Sequence, residues 1–236
     1  MDGPVTCLRA RTSDRTDGAG AGAEALAREL GGTIVGAAEP GVPRDWYHDL
    51  ETSRPVLAAA AAAAAQPGVI TASDCTICIG TFPAVVARER GVRFLWLDAH
   101  GDFNTPDTTP SGFLGGMCLA AACGAWSPPT PAGWGETVDP ARVHLVGVRD
   151  LDEDEREVVA RAGLRVGVPH HGPVYVHLDC DVLDPSVFAS QFPVPGGMNV
   201  EGLRALLAGL SDRIVGIEVT ALEDPSMAAT IAELLP

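Results

Sequence analysis

Basic residues are scarce in this chain. Sixteen Lys and Arg stand against 31 Asp and Glu, a formal net charge of −15 over 236 residues. Binding to phosphate backbones needs clustered cations, so the imbalance argues against a nucleic-acid or anionic-membrane partner; an acidic surface keeps a protein soluble and draws in cations. Long clean apolar runs are also missing. The alanine-rich VLAAAAAAAAQ stops at Pro67 and suits a soluble helix better than a membrane span. The N-terminal MDGPVTCLRARTSD lacks the apolar stretch and small-residue cleavage site of an export signal, so a cytoplasmic protein is expected. On that expectation the six cysteines (Cys7, Cys75, Cys78, Cys118, Cys123, Cys180) are reduced thiols. No repeat and no long linker divide the chain, and 46% apolar residues are enough for a core, so residues 1–236 read as a single domain. WSPPTPAGWGETVDP is the one Pro/Gly-rich insertion and reads as a surface loop.

Short apolar runs alternate with helical stretches. Strands are predicted at Val5–Leu8, Thr33–Val35, Val69–Thr71, Val92–Leu97, Arg142–Val146, Leu164–Val166, Val174–Leu178 and Ile214–Val219. Helices are predicted at Gly22–Leu30, Ser53–Gln66 with Pro55 in its first turn, Thr81–Arg90, Phe113–Cys123, Asp152–Arg161, Val200–Leu210 and Met227–Leu235. Such alternation implies an α/β fold: a three-layer α-β-α arrangement around a mostly parallel central sheet. Function in such sheets gathers at the carboxyl ends of the strands. There the chain places Cys75, Asp98, Arg149, Asp150, Asp179 and Glu218.

Two clusters stand out. In LDAHGDFN, Asp98, His100 and Asp102 alternate after a buried strand; in HLDCDVLDP, Asp179 and Asp181 do the same. Residues i and i+2 share a face of an extended chain, so each cluster can point one way. Four carboxylates and an imidazole brought together would repel and be costly to bury. One or two divalent cations resolve that cost, and a mainly oxygen ligand set favours Mn or Mg over Zn. Either D-x-D alone reads as a loop or cap pair; two together, one with a central His, do not. In DCTIC, Cys78 fits the buried side of a helix, whereas Cys75 is level with the acidic clusters, as a thiolate ligand or a small buried residue.

From Cys75 to the end, these motifs resemble the ureohydrolase superfamily of arginases and agmatinases. DAHGDFNTPDTTPSG is similar to the family's D-A-H-x-D motif and following loop, and HLDCDVLDP to its S-x-D-x-D-x-x-D-P motif. The resemblance implies an arginase-like fold and two Mn ions. Asp98 and Asp179 would bridge them, with Asp102 completing one ion and His100 with Asp181 the other; Cys75 falls at a further ligand position. Asn104, Ser111 and Asp152 would hold the substrate's amino-acid head group, and Glu155 is a further candidate there.

Three departures carry more information than the matches. Cys75 stands where a His ligand is expected. Gly115 stands at the His usually taken as a proton shuttle. Ala221 falls where a Glu grips the guanidinium, with Glu218 and Glu223 nearby. The stretch from Leu164 to Val174 and the tail after Pro225 are also short for the family. The first two departures resemble the Nω-hydroxy-L-arginine hydrolase branch of D-cycloserine (antibiotic) biosynthesis; Ala221 departs from that branch as well. The implied activity is cleavage of Nω-hydroxy-L-arginine to hydroxyurea and L-ornithine by metal-activated hydroxide, with Asp102 as the acid that protonates the leaving amine. The alternatives are an arginase- or agmatinase-like guanidino hydrolase, a catalytically impaired binding protein of the same fold, and, more remotely, a thiol oxidoreductase built on Cys75 and Cys78. The small guanidino substrate is the only partner implied; the oligomeric state is unknown.

Overall fold

A computed structural model describes residues 3–36, 45–128 and 136–236. It contains eight strands: β1 (Val5–Leu8), β2 (Thr33–Val35), β3 (Val69–Ala72), β4 (Arg93–Leu97), β5 (Val143–Val146), β6 (Arg165–Val166), β7 (Val174–Asp179) and β8 (Ile214–Thr220). Every pairing is parallel and the strand order is β2-β1-β3-β8-β7-β4-β5-β6, so a mostly parallel expectation becomes a wholly parallel sheet. The helices are α1 (Gly18–Glu29), α2 (Trp46–Ala64), α3 (Cys78–Arg88), α4 (Cys118–Ala122), α5 (Glu153–Ala162), α6 (Val200–Ala208) and α7 (Ala228–Ala232). One apolar cluster joins α2, α3 and α4 to one face of the sheet, through Leu57, Phe82, Leu119 and Trp96. A second joins α1, α6 and α7 to the opposite face, through Leu26, Leu203, Ile231 and Val176. The result is the expected three-layer α-β-α arrangement.

Element boundaries moved where caps, rather than periodicity, decide them. Helix α2 begins at Trp46 and not Ser53, because the Asp45 side chain accepts the His48 N–H as an N-cap; Pro55 therefore lies inside the helix and not in its first turn. The predicted helix at Phe113–Cys123 resolves into a 3₁₀ turn at Gly115–Met117 and the short α4. The final helix likewise begins with a 3₁₀ turn at Pro225–Met227, stabilised by Asp224 accepting the Ser226 N–H. Of the predicted surface loop, residues 129–135 lie outside the described residues.

The central strands β3, β8, β7 and β4 are buried on both sides, as parallel sheets covered by helices must be. They are neighbours in the sheet although the chain visits them in the order β3, β4, β7, β8. Helix α1 approaches the segment that leaves β8 so closely that a Cβ at Gly22 would collide with the carbonyl oxygen of Leu222. A Gly22→Ala variant is expected to lose about 1–3 kcal/mol, the usual range for overpacking. Chemical denaturation checks this, with a fall in midpoint at unchanged slope.

Candidate active site

Four adjacent strand ends build the site. Cys75 follows β3, Thr220 and Ala221 close β8, Asp179 closes β7 and Asp98 follows β4. Three of these ends use one local device, in which an Asp accepts the backbone N–H two residues on. Asp74 accepts from Thr76 at 2.8 Å, Asp98 from His100 at 2.7 Å and Asp179 from Asp181 at 2.8 Å. Such turns take the chain out of the strand while fixing the carboxylate. Asp102 is a second kind of kink, with a φ of 46°. The extended run expected from Asp98 through Asp102 is thus not what aligns these ligands. Asp tolerates the left-handed region better than most residues, and the Asp102 carbonyl accepts the Leu119 and Ala120 N–H groups at the start of α4.

The predicted ligands come together. Two groups have ligand atoms within 4.8 Å of one another: Cys75, Asp98 and His177; and Asp98, His100 and Asp181. His100 Nδ1 lies 3.0 Å from Asp181 Oδ2 and 3.4 Å from Asp98 Oδ1. The Cys75 sulfur is 2.9 Å from Asp179 Oδ2 and 3.8 Å from Asp98 Oδ2. Asp102 and Asp179 line the same cavity of about 440 Å³, a volume typical of small-molecule sites.

Burial, and then repulsion from Asp181, pushes the Asp98 carboxyl up to about 6. Burial followed by the neighbouring carboxylates raises Asp102 and Asp179 well above the ordinary range. Burial would lower His100, but its hydrogen bonds to Asp181 and Asp98 prevail and push it up to about 12. For Asp181, burial acts upward, yet the His100 contact holds the carboxyl below its usual value. Among the described residues no arginine pairs with any of these four aspartates. A buried carboxylate cluster, with His100 bonded to two of its members, is a donor set that fits divalent cations.

The predicted substrate residues all line the cavity. Asn104 Nδ2 donates to Asp152 Oδ2 at 2.9 Å, and Asn104 Oδ1 accepts from Thr108 at 3.0 Å. Ser111 is exposed at the mouth. Glu155 is already engaged: its carboxylate accepts the Phe103 N–H at 2.8 Å and the Asp152 N–H at 3.1 Å, forming a capping box on α5. Sequence reasoning missed two features. Arg149 donates to the carbonyls of Gly147, Asp181 and Val194, tying the segment after β7 to the end of β5. His177, Glu218 and Tyr175 form a buried polar chain behind Cys75. Their signal was present in VYVHLD, where Tyr, His and Asp occupy one face of an otherwise apolar strand.

The arginase family model matches residues 44–232. Nω-hydroxy-L-arginine amidinohydrolase of Streptomyces lavendulae is 35% identical over 241 aligned positions, covering 92% of this chain and 87% of that protein. The chain belongs to the arginase family. It is an enzyme of the ureohydrolase type. Arginase of Bacillus caldovelox is 33% identical over 55% of this chain, an alignment that spans 52% of that protein. In fold, the crystal structure of arginase from Bacillus cereus superposes with a TM-score of 0.80 at 22% identity, covering 98% of this chain and 96% of that one.

The three departures from the arginase pattern now have surroundings. Cys75 is buried beside the acidic cluster, and burial, with Asp179 and Asp98, raises its thiol pKa well above the ordinary value. At Gly115 a Cβ would meet the Phe113 ring, whose Cζ lies 2.7 Å from that position, so an aromatic ring fills the space beside residue 115. Phe113 packs on Phe192 at 5.4 Å between ring centroids and carries the Arg15 guanidinium 4.8 Å over its face. Ala221 lines the cavity with a φ of 52°. Glu218 is turned inward to His177 and Tyr175, whereas Glu223 faces the cavity.

Without metal, the proton on a buried carboxyl such as Asp98 favours the folded state, because its folded value lies above its unfolded one. That contribution is complete below about pH 4 and is lost as the pH rises through about 6. A divalent cation replaces the proton. The gain in melting temperature on adding Mn²⁺ is therefore expected to be larger at pH 7 than at pH 5; equal gains would mean that these carboxylates do not bind it.

Proposed function

We propose that this chain hydrolyses Nω-hydroxy-L-arginine to hydroxyurea and L-ornithine. The observation that carries this reading is the pairing of Cys75 with Gly115 in one cavity, in a chain 35% identical to a hydroxyarginine amidinohydrolase over most of its length. Cys75, Asp98, Asp102 and Asp179 would hold one Mn²⁺, and Asp98, Asp179, His100 and Asp181 a second. Bound there, the two ions would neutralise the carboxylates and supply an ionised water at working pH.

The chain's own groups then have distinct tasks. Asn104, Ser111 and Asp152, which line the cavity, receive the α-amino-acid end. Glu155 acts through the frame, since its oxygens hold the backbone of Phe103 and Asp152. Asp102 would take the proton left on the attacking water's oxygen after addition to the guanidino carbon and pass it to the departing amine. Glu223 is the carboxylate placed to face the guanidinium in the absence of one at 221. Gly115, with no imidazole, leaves proton delivery to Asp102. The setting is an antibiotic pathway in the cytoplasm, with the chain acting as one domain.

Ala221 favours a second reading, a family member that retains the cavity and has lost catalysis. One assay separates the two. Purified protein loaded with Mn²⁺ is given hydroxyarginine and arginine side by side, and hydroxyurea and urea are quantified. Faster release of hydroxyurea is expected; faster turnover of arginine points to an arginase, and no product from either supports the binding protein. Asn104→Ala is expected to raise KM roughly tenfold with little change in kcat, because the contact it removes is made equally in the ground and transition states. Steady-state kinetics on the preferred substrate give that split directly.

A further inference from the structure

The sheet presents its side chains in rows on the face toward α3. Register pairs Phe94 with Tyr175 and Tyr175 with Gly216; two residues further on it pairs Trp96 with His177 and His177 with Glu218; two further still it pairs Asp179 with Thr220, with Asp98 just past the end of β4. The row of His177 and Glu218 thus lies directly beneath the row of the acidic cluster. Every member of it is fully buried.

The polar atoms of the two rows form one chain. Tyr175 Oη donates to Glu218 Oε2 at 2.9 Å, Glu218 Oε1 lies 2.6 Å from His177 Nδ1, and His177 Nε2 lies 3.2 Å from the Cys75 sulfur. The imidazole is fixed on all sides. It stacks on Trp96 at 3.7 Å with a 3° interplanar angle and meets the Phe82 ring edge-on. Gly216 makes room for the Tyr175 ring: a Cβ there would come within 2.8 Å of it. Glu218 thus holds one ring nitrogen of His177 while the other is held 3.2 Å from the sulfur. This carboxylate–imidazole arrangement is how proteins orient the groups around metals, except that here the imidazole meets a cysteine.

We propose that His177, held by Glu218, is the positioning residue for Cys75, fixing its sulfur as a donor at the metal site. The inference rests on the metal-site reading given above. Two exchanges work together. Cysteine is shorter than the histidine expected at 75, and His177 replaces the smaller serine of the family's S-x-D-x-D motif. Cys75 alone, with Asp179, Thr220 and Asp98 around it, could rotate among several partners; His177 defines which way the sulfur faces.

The test uses the full chain stripped of metal and titrated with Co²⁺, whose sulfur-to-cobalt charge-transfer absorption reports the thiolate ligand without any turnover. The unmodified protein is expected to develop that band, and Cys75→Ser to lack it. His177→Asn and Glu218→Gln are expected to weaken cobalt binding at the sulfur-containing site roughly 10–100-fold, as loss of such outer partners does, and to shift or diminish the band. Circular dichroism checks folding. If His177→Asn does not fold, Glu218→Gln, which keeps the shape and the Trp96 stack, decides. Unaltered affinity and spectrum in a folded Glu218→Gln variant would overturn the inference, as would an unmodified protein with no sulfur-to-cobalt band. Neither result touches the substrate assignment, which rests on product analysis.

Discussion

Mutual repulsion among carboxylates largely withdrawn from water is the constraint around which this molecule is organised. Asp98, Asp102 and Asp179 are buried where central strands end, and Asp181 sits beside them. A fold places such groups together only where something of opposite charge repays their desolvation. His100 supplies part of that charge, bonded to Asp98 and Asp181. The rest of the donor set is suited to divalent ions. The parallel sheet makes the arrangement possible, because all its strands deliver their carboxyl ends to one edge.

Around that cluster the scaffold is rigid where the chemistry needs it. The Asp98 and Asp179 turns are closed by their own side chains, so each carboxylate is fixed by local bonds before any long-range contact forms. Arg149 locks the segment beyond β7, and Glu155 braces the loop carrying Asp102 and Asn104. The residues that differ from the arginase pattern are also embedded in specific surroundings. The Phe113 ring occupies the space beside Gly115, and His177 stands behind Cys75.

Much of this was legible in the chain. The eight strands were readable because each is a short apolar run bounded by turn residues, and the family could be read from two aspartate motifs of fixed spacing. Helix starts were less legible: the Asp45 cap sets α2 at Trp46, and a lone Asp before an aromatic gives a weaker signal than alanine periodicity. Family resemblance made Glu155 a further head-group candidate, and it does line the cavity. Its role as a capping-box partner depends on where Phe103 lies, which no local pattern reveals. Of the two glutamates near Ala221, only the turn after β8 separates the inward Glu218 from the cavity-facing Glu223.

The sequence by itself determined the class of fold, the acidic character, the ligand types and their placement after strands, because periodicity and short-range turn chemistry are properties of neighbouring residues. The tertiary structure alone decided that β3, β8, β7 and β4 are adjacent, since strand order follows from how helices cover the sheet and not from order along the chain. That adjacency brings Cys75 to Asp179 and His177 across about a hundred residues. It converts separate motifs into one site, because burial and repulsion act on distance in space, to which sequence separation is blind.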